Sequence, residues 1–138
     1  MHIQPYSPQY EKEVIALWER CNLPRPQNNP KLDIERKLKK DPELFLIGLI
    51  NGKVAAAAMG GYDGHRGGVY YLAVDPAQQK KGLGRQIMNA LEQKIIAMGC
   101  PKLNLMFRTE NAEVEKFYEK LGYKRDDVVE MGKRLIPD

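Results

Sequence analysis

Cysteine and histidine are scarce in this chain of 138 residues, with two of each. Cys21 and Cys100 are far apart, form no C-x-x-C pair and have no histidine at zinc-ligand spacing, so neither a disulfide framework nor a structural zinc site underlies the fold. Reduced thiols and no metal are the expectation. No apolar run approaches the roughly 18 residues needed to cross a bilayer, and the opening Met-His-Ile-Gln-Pro lacks the basic and apolar regions of an export signal. A cytoplasmic location without a membrane partner follows. Charge of one sign is missing as well: 22 basic and 18 acidic residues leave a net +4 that is spread along the sequence. That mixture, with no aromatic-interleaved basic surface, argues against nucleic acid as a partner. Repeats, low-complexity tracts and linkers are absent, and the length suits one domain over residues 1–138 with a core of its own.

The pattern that is present alternates strand and helix periods. His2 to Gln4 suits a first strand, and Ser7-Pro8 supplies a cap and a first-turn proline for a helix whose Val14, Leu17, Trp18 and Cys21 share one face. The proline- and asparagine-rich stretch Asn22 to Pro30 breaks it. A second helix starts at Asn29-Pro30, carries Ile34 and Leu38 inward, and ends before Asp41-Pro42. Leu44 to Ile50, Asn51-Gly52 and Lys53 to Met59 read as a hairpin with a two-residue turn. The glycine-rich stretch Gly60 to Gly68 reads as a loop leading into a strand from Val69 to Asp75. Ile87, Leu91, Ile95 and Met98 mark a long helix closed by Gly99, followed by a strand from Leu103 to Phe107. Asn111 opens a last helix with Val114, Phe117, Tyr118 and Leu121 on one face and Gly122 at its end. Tyr123 to Ile136 has the composition for two more strands. The expected fold is therefore a mixed α/β layer structure.

The stretch from Leu72 to Arg85 carries the most chemistry. It is a strand that passes through Asp75-Pro76 and Gln79-Lys80-Lys81-Gly82-Leu83-Gly84 into the start of a helix. Unpaired helix N-terminal N–H groups, the helix dipole, and Lys80, Lys81 and Arg85 together favour an anion, and the glycines allow close approach to the backbone. The loop lacks the Gly-Lys-Ser/Thr ending of a P-loop and the third glycine of a dinucleotide fingerprint, so neither ATP nor NAD is favoured. Taken alone, a G-x-G at a helix start fits a bare turn with no ligand equally well.

Two motifs together go further. Gln79-Lys80-Lys81-Gly82-Leu83-Gly84 resembles the Q/R-x-x-G-x-G/A signature of the GNAT acetyltransferase superfamily. Asn111, Val114, Phe117, Tyr118, Gly122 and Tyr123 resemble the N-x-x-A-x-x-F-Y-x-x-x-G-F/Y helix of the same superfamily, with Val114 in the alanine position. Leu17 to Cys21, Met59 to Gly67 and Met131 to Leu135 further resemble small bacterial acetyltransferases of the YpeA type. The resemblance implies a mainly antiparallel sheet of six to seven strands flanked by about four helices, and transfer of an acetyl group from acetyl-CoA to a primary amine by direct attack in a ternary complex. It places Leu72, Ala73 and Val74 along the pantetheine arm and the backbone of Gln79, Lys80, Lys81, Gly82, Leu83, Gly84 and Arg85 at the pyrophosphate. Asn111 then reaches the cofactor, and Tyr118 protonates the departing thiolate. No nucleophilic enzyme residue is required, so neither cysteine is expected to be essential.

The amine must lose a proton before it attacks, which calls for a base or a water chain. Asp63 and His65 in the glycine-rich loop rank first, ahead of Asp33 and Glu35 on the second helix, while Trp18, Arg25 and Asn28 are candidates to shape the acceptor pocket. Each has an ordinary alternative: Asn111 as a helix cap, Tyr118 and Trp18 as core, Asp63 as turn chemistry, Arg25 and Asn28 as solvated loop. A second functional class, a CoA-binding regulatory or interaction module without turnover, shares the cradle. The quaternary expectation is a monomer or a homodimer.

Overall fold

Strand β1 (His2–Pro5) leads through a short 3₁₀ turn at Pro8–Tyr10 into helix α1 (Glu11–Arg20), and helix α2 (Pro30–Lys37) follows a loop. Strands β2 (Phe45–Ile50), β3 (Lys53–Tyr62) and β4 (Gly67–Val74) come next, then helix α3 (Leu83–Ala97), strand β5 (Leu103–Leu105) and helix α4 (Ala112–Lys120). The computed structural model describes all residues from 1 to 138. Its sheet has five strands in the order β1-β2-β3-β4-β5, antiparallel except for the parallel pair β4-β5.

Strands β2 and β3 are buried nearly end to end because helices cover both faces of the sheet. On one face Val14, Leu17 and Trp18 of α1 and Ile34 of α2 pack on Phe45, Ile47, Ala57 and Met59. On the other, Ile87, Met88, Leu91 and Ile95 of α3 and Tyr118 of α4 pack on Leu44, Leu46, Ala56, Ala58 and Val69. The local signals place most element ends. Asn29 caps α2 by accepting from the Leu32 N–H at 3.1 Å. Asn51 and Gly52 both have positive φ, 51° and 77°, as the tight hairpin turn demands.

Four expectations change. The sheet has five strands rather than six or seven, because Tyr123 to Ile136 forms none. A strand exists only where it finds a partner edge: β5 offers three residues rather than the expected run to Phe107, and Asp126, Asp127, Lys133 and Arg134 interrupt the apolar character of the tail. Ion pairs from Lys102 to Asp126 at 2.7 Å and from Arg125 to Glu115 at 2.5 Å hold the start of the tail. The glycine-rich stretch is mostly sheet, with only Asp63 to Arg66 left as a loop. Gly60 lies where α3 crosses the sheet, and Gly67 lies against Leu103 and Cys100. Ser7 makes no cap hydrogen bond with its side chain, and the chain enters α1 through the 3₁₀ turn instead. Met98 is partly exposed at the end of α3 rather than on its buried face.

A side chain at Gly60 would run into Leu91, whose Cδ2 lies 3.0 Å from the added Cβ, and into the Leu44 carbonyl at 3.2 Å. Gly60→Ala should therefore destabilise the fold by about 1–3 kcal/mol, read as a lower urea midpoint at unchanged slope. In a Leu91→Ala background the added cost of Gly60→Ala should shrink, a double-mutant coupling that shows the two side chains compete for one space.

Candidate active site

Strand β4 is paired unequally on its two edges. It pairs with β3 along most of its length, but with β5 only at Gly67, Gly68 and Val69. Beyond Val69 no strand pairs with its outer edge, so β4 and β5 part and leave backbone groups in the gap. Opposite Ala58, β4 carries an extra residue, and within this bulge Tyr71 has φ of 53°, a left-handed conformation that an aromatic residue rarely takes. The Tyr71 ring stacks on Trp18 with centroids 3.9 Å apart, and its hydroxyl donates to Asp33 Oδ2 at 2.7 Å. Burial first, and then the Asp33 carboxylate, push the pKa of this phenol up, so that it stays protonated. Nothing in the residue pattern marks the bulge, so sequence reasoning missed Tyr71.

Past the gap, Asp75 Oδ1 accepts from the Ala77 N–H at 3.0 Å while Oδ2 pairs with Arg20 at 3.0 Å, tying the turn to α1. Gln79 donates from Nε2 to the Val74 carbonyl at 3.2 Å, and Cys21 Sγ donates to the same oxygen at 3.3 Å. From Gln79 through Arg85 no backbone N–H donates to a carbonyl of the chain. Lys80 and Gly82 have φ of 66° and 79°, which curls these N–H groups into one concave turn at the start of α3. Around Gly82 a Cβ would meet nothing within 4 Å, whereas at Gly84 it would meet Phe117 Cζ at 2.9 Å. The two glycines thus differ: Gly82 leaves room for an approaching group, and Gly84 is buried to let α3 pack on α4. Lys81 bonds Gln78 at 3.0 Å and Arg85 bonds the Lys120 carbonyl at 3.2 Å, both on the exposed rim with Lys80, while the Leu83 side chain is buried beneath the turn. Of the strand residues, Leu72 and Val74 face α3 and α4, while Ala73 is buried toward α1.

Tyr118 is 7% exposed, within an aromatic group made with Phe107, Phe117 and Tyr123 at centroid distances of 5.9, 5.0 and 5.7 Å. Its hydroxyl has no hydrogen-bond partner in the chain. Burial raises its pKa from 10.0 to about 12. A groove of about 1330 Å³ beside β5 is lined by Tyr70, Phe107, Tyr118 and Tyr123 among others, but by none of the residues of the cradle. Asn111 caps α4, its Oδ1 accepting from the Val114 N–H at 3.3 Å, which leaves its amide NH₂ free.

The remaining candidates do not converge. Asp63 Oδ1 accepts from the backbone N–H groups of His65 and Arg66 at 2.7 and 2.8 Å. These two bonds hold its carboxyl below the usual range, which makes it a turn former and a poor base. Asp63 and His65 sit at the end of β4 that is paired with β5, and Asp63 lines the far part of the groove that Tyr118 also lines. Trp18 is fully buried beneath Tyr71. Arg25 and Asn28 close their own loop, with the Arg25 N–H on Asn28 Oδ1 at 2.9 Å, and Glu35 is exposed. Only Asp33 among the base candidates touches the bulged strand. No group of acidic, histidine or cysteine side chains is arranged to hold a metal ion.

The parted β4-β5 pair, the bulge and the glycine cradle opening the next helix lie within residues 9–123, the span over which the chain matches a family of acyl-transfer proteins. The chain belongs to the acetyltransferase (GNAT) family, whose model matches residues 9–123. An acetyltransferase of Yersinia pestis is 51% identical over 138 residues, covering 100% of this chain and 98% of that protein. Among solved structures, the aminoglycoside N-acetyltransferase AAC(6')-Iy, in complex with a bisubstrate analogue of CoA, matches with TM-score 0.78 at 18% identity, over 96% of this chain and 97% of the other. The ribosomal-protein-S18-alanine N-acetyltransferase of Escherichia coli matches with TM-score 0.72 at 25% identity, over 88% and 76%. The chain is therefore a GNAT acetyltransferase with bacterial relatives; the likeness to the YpeA type is not resolved by these matches.

The phenol of Tyr118 should stay protonated well past neutral pH and ionise near pH 12. Because the folded chain holds this proton more tightly than the unfolded one, its contribution to stability is complete below about pH 10 and falls as pH rises toward 12. Ultraviolet difference titration of the wild type against Tyr118→Phe isolates this phenol; a midpoint near 10 would refute the assignment.

Proposed function

We propose that this chain transfers the acetyl group of acetyl-CoA to a primary amine by direct attack in a ternary complex. The observation that carries the reading is a pair of open backbone stretches, the outer edge of β4 beyond Val69 and the N–H groups of Gln79 through Arg85, joined by a turn at Asp75 to Gln78 whose own groups are bonded within the chain. A ligand with a pyrophosphate at one end and an amide-bearing arm at the other matches that pair. Gly82, which has open space around it, supports close phosphate approach, and a CoA analogue bound to a structural neighbour supports the same choice.

When bound, acetyl-CoA supplies the acyl group activated as a thioester. The backbone of the cradle holds phosphate oxygens, Leu72 and Val74 flank the arm, and the free amide of Asn111 bonds it from α4. A β4 N–H at the bulge polarises the acyl carbonyl and stabilises the oxyanion that develops on attack. The amide C–N bond forms as the thioester C–S bond breaks. Tyr118 gives its proton to the departing sulfur and is reprotonated from solvent, while the reacted nitrogen loses one proton to water. Its unpartnered hydroxyl and raised pKa support this role, since the group is protonated and free to donate at neutral pH.

Calorimetric titration should give binding of acetyl-CoA and none of ATP or NAD. Tyr118→Phe should lower kcat by about 10²–10⁴ with acetyl-CoA affinity unchanged, because only the proton donor is removed. Undiminished turnover would return Tyr118 to a packing role, and a wild type that binds acetyl-CoA but acetylates no amine would point to a CoA-binding module. Gly82→Val should weaken acetyl-CoA binding at least about tenfold, as both the left-handed backbone and the open approach are lost.

A further inference from the structure

The corner beyond Tyr71 contains an incomplete charge pairing. Asp33 stands in the first turn of α2, half-buried, and its only side-chain bond is the one accepted from the Tyr71 hydroxyl through Oδ2. None of the ion pairs in the chain includes it. Lys37, one turn further along α2, is influenced by Asp41 and Glu43 instead, and burial lowers its pKa. Asp138, held by Arg134 at 2.6 Å, adds negative potential beside Tyr71. A partly desolvated carboxylate with a hydroxyl partner but no cation is a site that an external cation completes.

Its position relates it to the acyl-transfer gap. Tyr118 packs with α3 on one face of the sheet, whereas Asp33 and Tyr71 pack with α1 on the other. Strand β4 lies between these two faces, so an acceptor on the α1/α2 side would approach its open edge from the side opposite the proton donor. Tyr71 fixes the spacing. Its backbone belongs to the strand that polarises the acyl carbonyl, and its hydroxyl end belongs to Asp33, so the carboxylate sits about one tyrosine length from the reaction. The stack on Trp18 and the strained left-handed backbone are features that hold a side chain in one place.

A nitrogen that attacks must be neutral, and a carboxylate favours the ammonium form of whatever it binds. Asp33 therefore suits a charge that survives the reaction. We infer that Asp33, held by Tyr71, fixes a second, non-reacting ammonium group of the acceptor, which makes the acceptor an organic dication of the linear diamine kind. This rests on the acetyl-transfer reading and assigns its acceptor class.

The test uses the full chain with putrescine, a linear diamine, and n-butylamine, its monoamine counterpart. Acetyl-CoA binding is measured by calorimetry, amine binding in the presence of saturating CoA, and transfer by thiol release. The wild type should favour putrescine over n-butylamine by at least about tenfold in kcat/KM. Asp33→Asn should bring that ratio close to one through a higher KM for putrescine, with acetyl-CoA affinity kept, and Asp33→Glu should restore part of it. A wild type that shows no preference, that neither binds nor acetylates putrescine, or whose preference survives in Asp33→Asn overturns the inference while leaving the cofactor reading intact. Failure of acetyl-CoA to bind the wild type overturns the acetyl-transfer reading and this inference with it. The wild-type ratio decides even if Asp33→Asn does not fold.

Discussion

The structure turns on a strand that is paired on one edge and released on the other. Backbone N–H and C=O groups left without partners in a sheet are costly, and natural sheets pair or cover them. Here β4 keeps β3 beside it along most of its length but loses β5 after Val69. The helices on both faces hold this arrangement: α1 through Trp18 under Tyr71, and α3 through Ile87, Met88 and Leu91 against β2 and β3. A rigid frame thus presents open backbone, which is the property a thioester-binding site requires.

Small residues make that frame possible. Ala56, Ala57 and Ala58 keep the middle of β3 thin under helices on either side, and Gly60 and Gly84 remove side chains where α3 meets the sheet and α4. Gly82 has a different task, supplying positive φ and clear space at the mouth of the cradle. Adjacent glycines in one motif therefore answer to separate constraints, one of packing and one of ligand approach.

The two faces of the sheet divide the chemistry of the proposed reaction. On the α3/α4 face Tyr118 lies in an aromatic environment whose burial keeps its proton on. On the α1/α2 face the Tyr71 and Asp33 pair is polar and anionic, the character expected where an amine enters. In the proposed reaction, placing the proton donor and the anionic corner on opposite faces gives each the dielectric its task needs.

Much of this was legible from residues alone. Asn29, Asn51-Gly52, Gly99, Asn111 and Gly122 marked their turns and caps because capping and positive φ are local requirements. The cradle and the helix of Tyr118 were legible because their residue types and spacing form motifs. Pairing was not: five strands formed where more were expected, since a strand depends on the length of its neighbour's edge, and β5 offers only three residues. Burial and convergence were equally out of reach. Asp63 became a turn former, Trp18 became core, and Tyr71 acquired its role from a bulge with no sequence mark. Sequence determined the family, most of the element types and the glycine turn that opens α3, because motif spacing and local backbone chemistry fix those. Tertiary structure alone decided which strand edge stays open and which carboxylate stands beside it, because both depend on contacts between residues distant in the chain.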